Sequence, residues 1–191
     1  MDSTVRGSWT SCETIEGVST FVLESHRDER GELTEVFRSD WVDAAAPRQW
    51  NVIRSTGNSL RGVHVHIRHT DYVSVLDGAA IIGLKDLRRG SPTHLKDACI
   101  AVDAGSPRLL RIPPGVAHGF YTPEASLLCV AASEYFDPAD DLGYRWDDTA
   151  ALLFPEVRDP IVSERDATAP PFVDLLAQLE PHQPGFGRFG G

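Results

Sequence analysis

Apolar residues in the middle of the chain come in short runs, at 33–37, 50–55, 60–67, 72–76, 79–84, 98–102, 109–112 and 126–132, each cut off by Gly, Pro or Asp. The runs are rich in Val, Ile and Leu and short, a series that predicts an all-β sandwich or barrel. Asp77-Gly78, between the fourth and fifth runs, predicts a tight two-residue hairpin, because Gly accepts positive φ. Arg89-Gly90-Ser91-Pro92 predicts another turn. Pro113-Pro114-Gly115 predicts a rigid one that aims the residues after it, since Pro fixes φ. Helical signals are few. Residues 40–46 predict one turn or two, and 171–179 carry apolar residues at helical spacing behind a leading Pro. The glycines of 184–191 predict a flexible tail, which leaves 1–183 as a single domain.

On this pattern sits one unusual group of polar residues. His64 and His66, in Arg61-Gly62-Val63-His64-Val65-His66, point the same way if the segment is a strand, because strand side chains alternate with period two. Asp71 follows five residues after His66, and His118 comes three residues after Gly115. Three histidines and a carboxylate that converge inside a β-barrel make either a metal site or an acid/base site. His69, in the loop-like Arg68-His69-Thr70, reads as a surface residue. Arg30, Arg54 and Arg61 flank strands, and a guanidinium presents a planar fork suited to phosphate oxygens. Arg61 shares a strand with the histidines but falls on the opposite face unless a bulge intervenes. Asp147-Asp148 reads as loop capping.

Composition narrows the classes of partner. The chain of 191 residues carries a formal net charge of −10, which argues against a general nucleic-acid or anionic-membrane binder. Its length supports one substantial core. Cys12, Cys99 and Cys129 are scattered without CxxC spacing, as expected for reduced thiols in a cytoplasm. Met1 to Ser19 is polar and lacks the apolar stretch of a secretion signal, and no run approaches the ~20 apolar residues of a membrane helix.

Several motifs, in order, carry a resemblance. They are Asp28-Glu29-Arg30-Gly31, Gln49-Trp50-Asn51, Leu60-Arg61-Gly62-Val63-His64, Asp86-Leu87-Arg88-Arg89-Gly90-Ser91-Pro92-Thr93, Ile112-Pro113-Pro114-Gly115-Val116-Ala117-His118-Gly119-Phe120, Gly143-Tyr144-Arg145-Trp146-Asp147-Asp148 and Ser163-Glu164-Arg165-Asp166. From about Phe21 to Pro170 the chain resembles the dTDP-4-dehydrorhamnose 3,5-epimerase family. The resemblance implies a cupin jelly-roll β-sandwich with a few short peripheral helices. It also implies a homodimer that exchanges N-terminal strands. Such enzymes remove a proton α to a sugar 4-ketone and return one on the other face. By motif the base matches His64, its orienting partner Asp166 and a second pocket histidine His118. Arg61 matches a residue near the substrate. Arg30, Glu35, Gln49 and Asn51 match nucleotide contacts, and Phe136 falls among the substrate-binding positions.

Three departures stand out. Asp71 occupies the family's Lys position, Val130 the position of its Tyr acid, and His66 the place of a Gln. The first and third give a pattern like that of metal-binding cupins, with His64, His66, Asp71 and His118 as ligands for Fe, Mn, Ni or Zn and Asp166 orienting His64 from behind. Three functions are therefore on the table. The first is a cofactor-free epimerase of a dTDP-4-keto-6-deoxy sugar, acting at one carbon or two. The second is a metal-dependent cupin enzyme of specialised metabolism. The third is a non-catalytic sugar-nucleotide binder.

Overall fold

Two antiparallel sheets face each other across an apolar interior in the computed structural model, which describes residues 9–42 and 46–186. In chain order the strands are β1 (Trp9–Ser11), β2 (Ser19–Val22), β3 (Ser25–Asp28), β4 (Gly31–Thr34), β5 (Gln49–Ser55), β6 (Ser59–His66), β7 (Asp71–Asp77), β8 (Ala79–Asp86), β9 (Asp97–Asp103), β10 (Arg108–Ile112), β11 (Val116–Thr122), β12 (Ser126–Ala132) and β13 (Asp141–Gly143). One sheet runs β1-β2-β10-β7-β12-β5, the other β13-β6-β11-β8-β9, and β3 and β4 form a hairpin that pairs with neither. This is the predicted all-β jelly roll.

Alternation along the strands builds the interior. Val73 and Val75 of β7, Leu110 and Ile112 of β10, and Leu128 and Val130 of β12 meet Ala80, Ile82 and Leu84 of β8 and Val116 and Phe120 of β11. The intervening residues face outward and find other cover. On the β6 sheet, Leu60, Val63, Val65 and Ala117 lie beneath Tyr144, Phe154, Phe172, Leu175 and Leu179 from the C-terminal segment. On the other sheet, Phe21, Tyr72 and Leu109 lie beneath Trp9, Phe37 and Trp41. The short helices α1 (Glu164–Ala167) and α2 (Phe172–Leu179) belong to the C-terminal cover. Pro171 stands at the start of α2, as the sequence predicts. Among the described residues no helix is long and apolar enough to cross a membrane.

The structure corrects several expectations. The runs at 72–76 and 79–84 do become strands, but β7 and β8 lie in different sheets and do not pair. Their apolar faces both enter the same interior, so the chain at Gly78 crosses from one sheet to the other instead of folding into a hairpin. Gly78 has φ +74, and a Cβ there would meet Ser126 Oγ at 2.5 Å. The run at 33–37 is strand only to Thr34. The expected helix over 40–46 is a single 3-10 turn at Ser39–Trp41, and 43–45 lie outside the described residues. Pro184 and Gly185 end a 3-10 helix and Phe186 is buried among the C-terminal apolar residues, so these three are not part of a loose tail. The rest of that segment, 187–191, lies outside the described residues.

One local irregularity positions the site. In the β6–β11 ladder His118 pairs with His64 and Phe120 with Arg61, so three residue steps on β6 oppose two on β11. The extra residue is a bulge, and bulges re-aim side chains. It brings Arg61 onto the inner face with His64 and His66, the one condition under which the sequence pattern allowed it. Gly62 has φ +114 at the bulge, where a Cβ would sit 2.8 Å from Gly119 Cα and 2.9 Å from His118 O. Gly62→Ala is expected to lower unfolding free energy by about 2–3 kcal/mol. The check is a urea titration, with the midpoint falling at unchanged slope.

Candidate active site

At the end of the interior nearest the bulge lies a cavity of about 250 Å³, lined by Ile53, Arg61, His64, His118, Phe120, Ser163, Arg165 and Asp166. Asp166 reaches it from α1, which is capped by Ser163, whose Oγ accepts from the Asp166 backbone N–H at 3.1 Å. The Asp166 carboxylate is buried and does two things. Oδ1 lies 2.8 Å from His64 Nε2, and Oδ2 accepts from the Gly62 N–H at 3.2 Å. Burial raises the Asp166 pKa, but the His64 hydrogen bond and charge, with the Gly62 and Ser163 donors, outweigh it and hold the carboxyl below its usual value. An ionised carboxylate only accepts, so the proton on His64 resides at Nε2 and the free lone pair at Nδ1. Nδ1 is the nitrogen left to take a proton.

Cations stand on the same cavity. Arg61 is steadied by donating from Nε to Ser55 Oγ at 3.1 Å. Arg165 pairs through Nη1 with Asp141 Oδ2 at 2.6 Å. Asp141 is held below the usual carboxylate range, where burial is overcome by the Arg165 hydrogen bond and the nearby histidines. Its other oxygen, Oδ1, is buried without a hydrogen-bond partner, 4.0 Å from His64 Nδ1 and 3.8 Å from His66 Nδ1.

Behind His118 is a second polar cluster. Asp71 Oδ2 lies 3.2 Å from His66 Nε2 and 3.3 Å from His118 Nε2, and Asp71 Oδ1 lies 3.5 Å from His69 Nε2. Thus His66, Asp71 and His118 converge as expected, but His64 turns away to Asp166. His69 takes the place beside them. It is 7% exposed, not a surface residue, with Nδ1 2.7 Å from Asp140 Oδ2. The sequence carried one signal for it: His69 stands two residues from Asp71. Asp140, Asp141 and Arg165 were also missed as contributors. Asp140 further secures the loop by accepting from the Ile67 and Arg68 N–H groups through Oδ1 at 2.8 and 2.9 Å. Burial pushes the His118 pKa down to about 4 and also lowers that of His66. For His69 burial is outweighed by hydrogen bonds to Asp140 and Asp71, which raise it to about 9.

The remaining expected residues lie at the rim or beyond. Gln49 and Asn51 share the face of β5 with Ile53, by strand alternation. Gln49 donates to Asn51 Oδ1 at 3.2 Å and accepts from the Phe136 N–H at 2.8 Å, which draws Phe136 to the same edge. Arg30 sits at the turn of the β3–β4 hairpin, bound to Asp28, and Glu35 lies 3.6 Å from Arg38. Neither lines this cavity. Val130 is packed in the apolar interior.

A jelly roll with a His–Asp pair and two arginines on one cavity defines a class of scaffold, one equipped to move a proton beside an anionic group. The sequence profile of dTDP-4-dehydrorhamnose 3,5-epimerase matches residues 13–174. The chain belongs to that family of isomerases. A dTDP-4-dehydrorhamnose 3-epimerase of Streptomyces niveus is 31% identical over 165 residues, covering 81% of this chain and 79% of that one. The rmlC epimerase of Mycobacterium tuberculosis superposes with a TM-score of 0.82 at 26% identity, covering 94% of this chain and 98% of that one. A 3'-monoepimerase from Streptomyces bikiniensis in complex with dTDP-quinovose superposes with a TM-score of 0.76 at 26% identity, covering 88% of each chain.

Removing the Asp166 carboxylate leaves the Gly62 N–H and the His64 ring without their partner. Asp166→Ala is expected to cost about 2–3 kcal/mol at neutral pH. Because the folded pKa is depressed, this contribution is present above the unfolded value of about 4 and is lost as pH falls through the folded value. Urea midpoints of wild type and variant should therefore converge on acidification. A gap that stays constant to low pH would refute the assignment.

Proposed function

We propose that this chain epimerises a dTDP-4-keto-6-deoxy sugar by removing a proton from a carbon beside the ketone and returning one to the opposite face. The observation that carries the reading is the 2.8 Å contact of His64 Nε2 with Asp166 Oδ1 on a cavity that also presents Arg61 and Arg165. His64 Nδ1 is the base, and Asp166 orients the ring and stabilises the imidazolium that forms. The Arg61 and Arg165 guanidiniums supply positive charge to the enolate oxygen, a task for which no Lys is present at position 71. His118 forms the inner wall. With Val130 in place of a Tyr acid, water returns the proton. The proton transfers themselves draw on no cofactor.

The nucleotide lies toward Gln49, Asn51 and Phe136. The solved relative that holds dTDP-quinovose supports a dTDP-linked ligand. Arg30 and Glu35 reach a nucleotide only in a homodimer, where the hairpin of one copy meets the cavity of the other. Support comes from the hairpin's pairing with neither sheet, and from Trp50 and Val52, 45% and 68% exposed on the outer face of β5. Sedimentation equilibrium is expected to give twice the mass of the chain, and a monomer would refute the exchange.

Incubation of the enzyme with a dTDP-4-keto-6-deoxyhexose in deuterium oxide tests the chemistry. Deuterium is expected at C3 or C5, and His64→Asn is expected to slow its uptake by about 10²–10⁴-fold. Substrate binding without any exchange would overturn the epimerase reading and leave a binder.

A further inference from the structure

The cluster behind His118 has an imbalance that the epimerase reading does not use. Every ring nitrogen of His66, His69 and His118 faces an oxygen that accepts. The three Nδ1 atoms lie 3.2 Å from the Asp140 backbone O, 2.7 Å from Asp140 Oδ2 and 3.1 Å from the Val116 backbone O. The three Nε2 atoms all face the Asp71 carboxylate, at 3.2, 3.5 and 3.3 Å in the same order. A neutral imidazole offers one donor, so each ring that stays neutral leaves one nitrogen lone pair opposed to an oxygen lone pair. Satisfying all six with protons requires three imidazoliums in one buried pocket. The His66 and His69 rings are stacked with centroids 3.8 Å apart and planes at 26°, which sets two such charges face to face. Burial makes that arrangement costly.

A cation in place of the three Nε2 protons removes the conflict. We propose that His66, His69, His118 and Asp71 bind one divalent first-row transition-metal ion through three imidazole Nε2 atoms and the Asp71 carboxylate. The three nitrogen–oxygen distances to Asp71, 3.2, 3.3 and 3.5 Å, are close to those between ligands of one ion. Two ligand atoms each about 2.1 Å from a metal, at angles between octahedral and tetrahedral, are separated by about 3.0–3.4 Å. Ligand atoms of His66, His69 and Asp71 all lie within 4.8 Å of one another, a spread that a bound ion would draw in, and His118 Nε2 joins this group through Asp71 Oδ2 at 3.3 Å. The Nδ1 contacts supply what metal-bound histidines require, an oxygen acceptor that fixes the tautomer and leaves Nε2 as the donor atom. Three imidazoles and one carboxylate select Zn, Fe, Ni or Mn over the hard Mg and Ca. This set exchanges His64, which pattern alone had included, for His69. The ion is held beside the His64–Asp166 dyad and not on it, so this inference and the epimerase reading stand or fall separately.

The test strips purified full-length protein with a chelator and titrates it with Co²⁺, then with competing Zn²⁺. Wild type is expected to take up about one ion per chain with visible d–d absorption and a raised melting temperature. His64→Asn, in which the proposed base is lost, is expected to keep the spectrum. His69→Ala and Asp71→Ala, checked for folding by circular dichroism, are expected to lose it. Nitrogen NMR of histidine-labelled wild type needs no variant, and Zn²⁺ should move the Nε2 signals of His66, His69 and His118 but not that of His64. Absence of uptake by wild type, or a folded His69→Ala that still takes up a full equivalent with the same spectrum, would overturn the proposal.

Discussion

The Asp166 carboxylate is the contact on which the site depends. It holds two groups that the strand geometry alone would leave apart: the backbone N–H of the bulge residue Gly62 and the ring of His64. A bulge frees a backbone donor from the ladder, and a buried donor without a partner costs about 1–3 kcal/mol. Asp166 satisfies that donor with one oxygen and aims the His64 ring with the other. The same bulge turns Arg61 inward. Bulge, oriented histidine and inward cation are therefore consequences of one arrangement, secured by a helix of one turn.

Two polar centres share the interior of an otherwise apolar sandwich. They are divided by the ring of His118, which lines the cavity on one side and faces Asp71 on the other. Strand alternation explains how a single segment serves both. His64 and His66 leave β6 on the same face, but His64 is met by the C-terminal segment and His66 by the loop that begins β7. Neighbouring residues on one face thus have different partners because the chain returns to them from opposite directions. Asp140 and Asp141 repeat this division. Asp140 anchors the 66–69 loop, while Asp141 binds Arg165 at the cavity.

Much of this was legible in the sequence, for particular reasons. The strand runs had the right period and length, and the ordered motifs marked the jelly roll and paired His64 with Asp166 across 102 positions. What was not legible depended on information a local pattern lacks. Asp77-Gly78 has the composition of a hairpin turn, and only the sharing of one interior by both neighbouring strands makes it a crossing between sheets. The strand β11 was hidden behind the Pro-Pro-Gly turn that precedes it. Arg61 changed face because of one extra residue. His69 was misjudged because its loop looks polar, whereas Asp140, 71 positions away, draws it inward.

The long separation between His64 and Asp166 bears on how the protein comes into being. During synthesis the sandwich strands leave the ribosome well before α1. Until the later segment arrives, the outer face of the β6 sheet is bare and His64 has no partner. The C-terminal segment then closes an apolar surface and completes the dyad in the same step, because Leu175, Leu179 and Phe186 lie on the cover that carries Asp166 into place. A chain that lacks this segment therefore leaves an apolar face uncovered and His64 without its carboxylate partner. Cover for the β6 sheet and completion of the His64–Asp166 pair thus rest on the same stretch of chain.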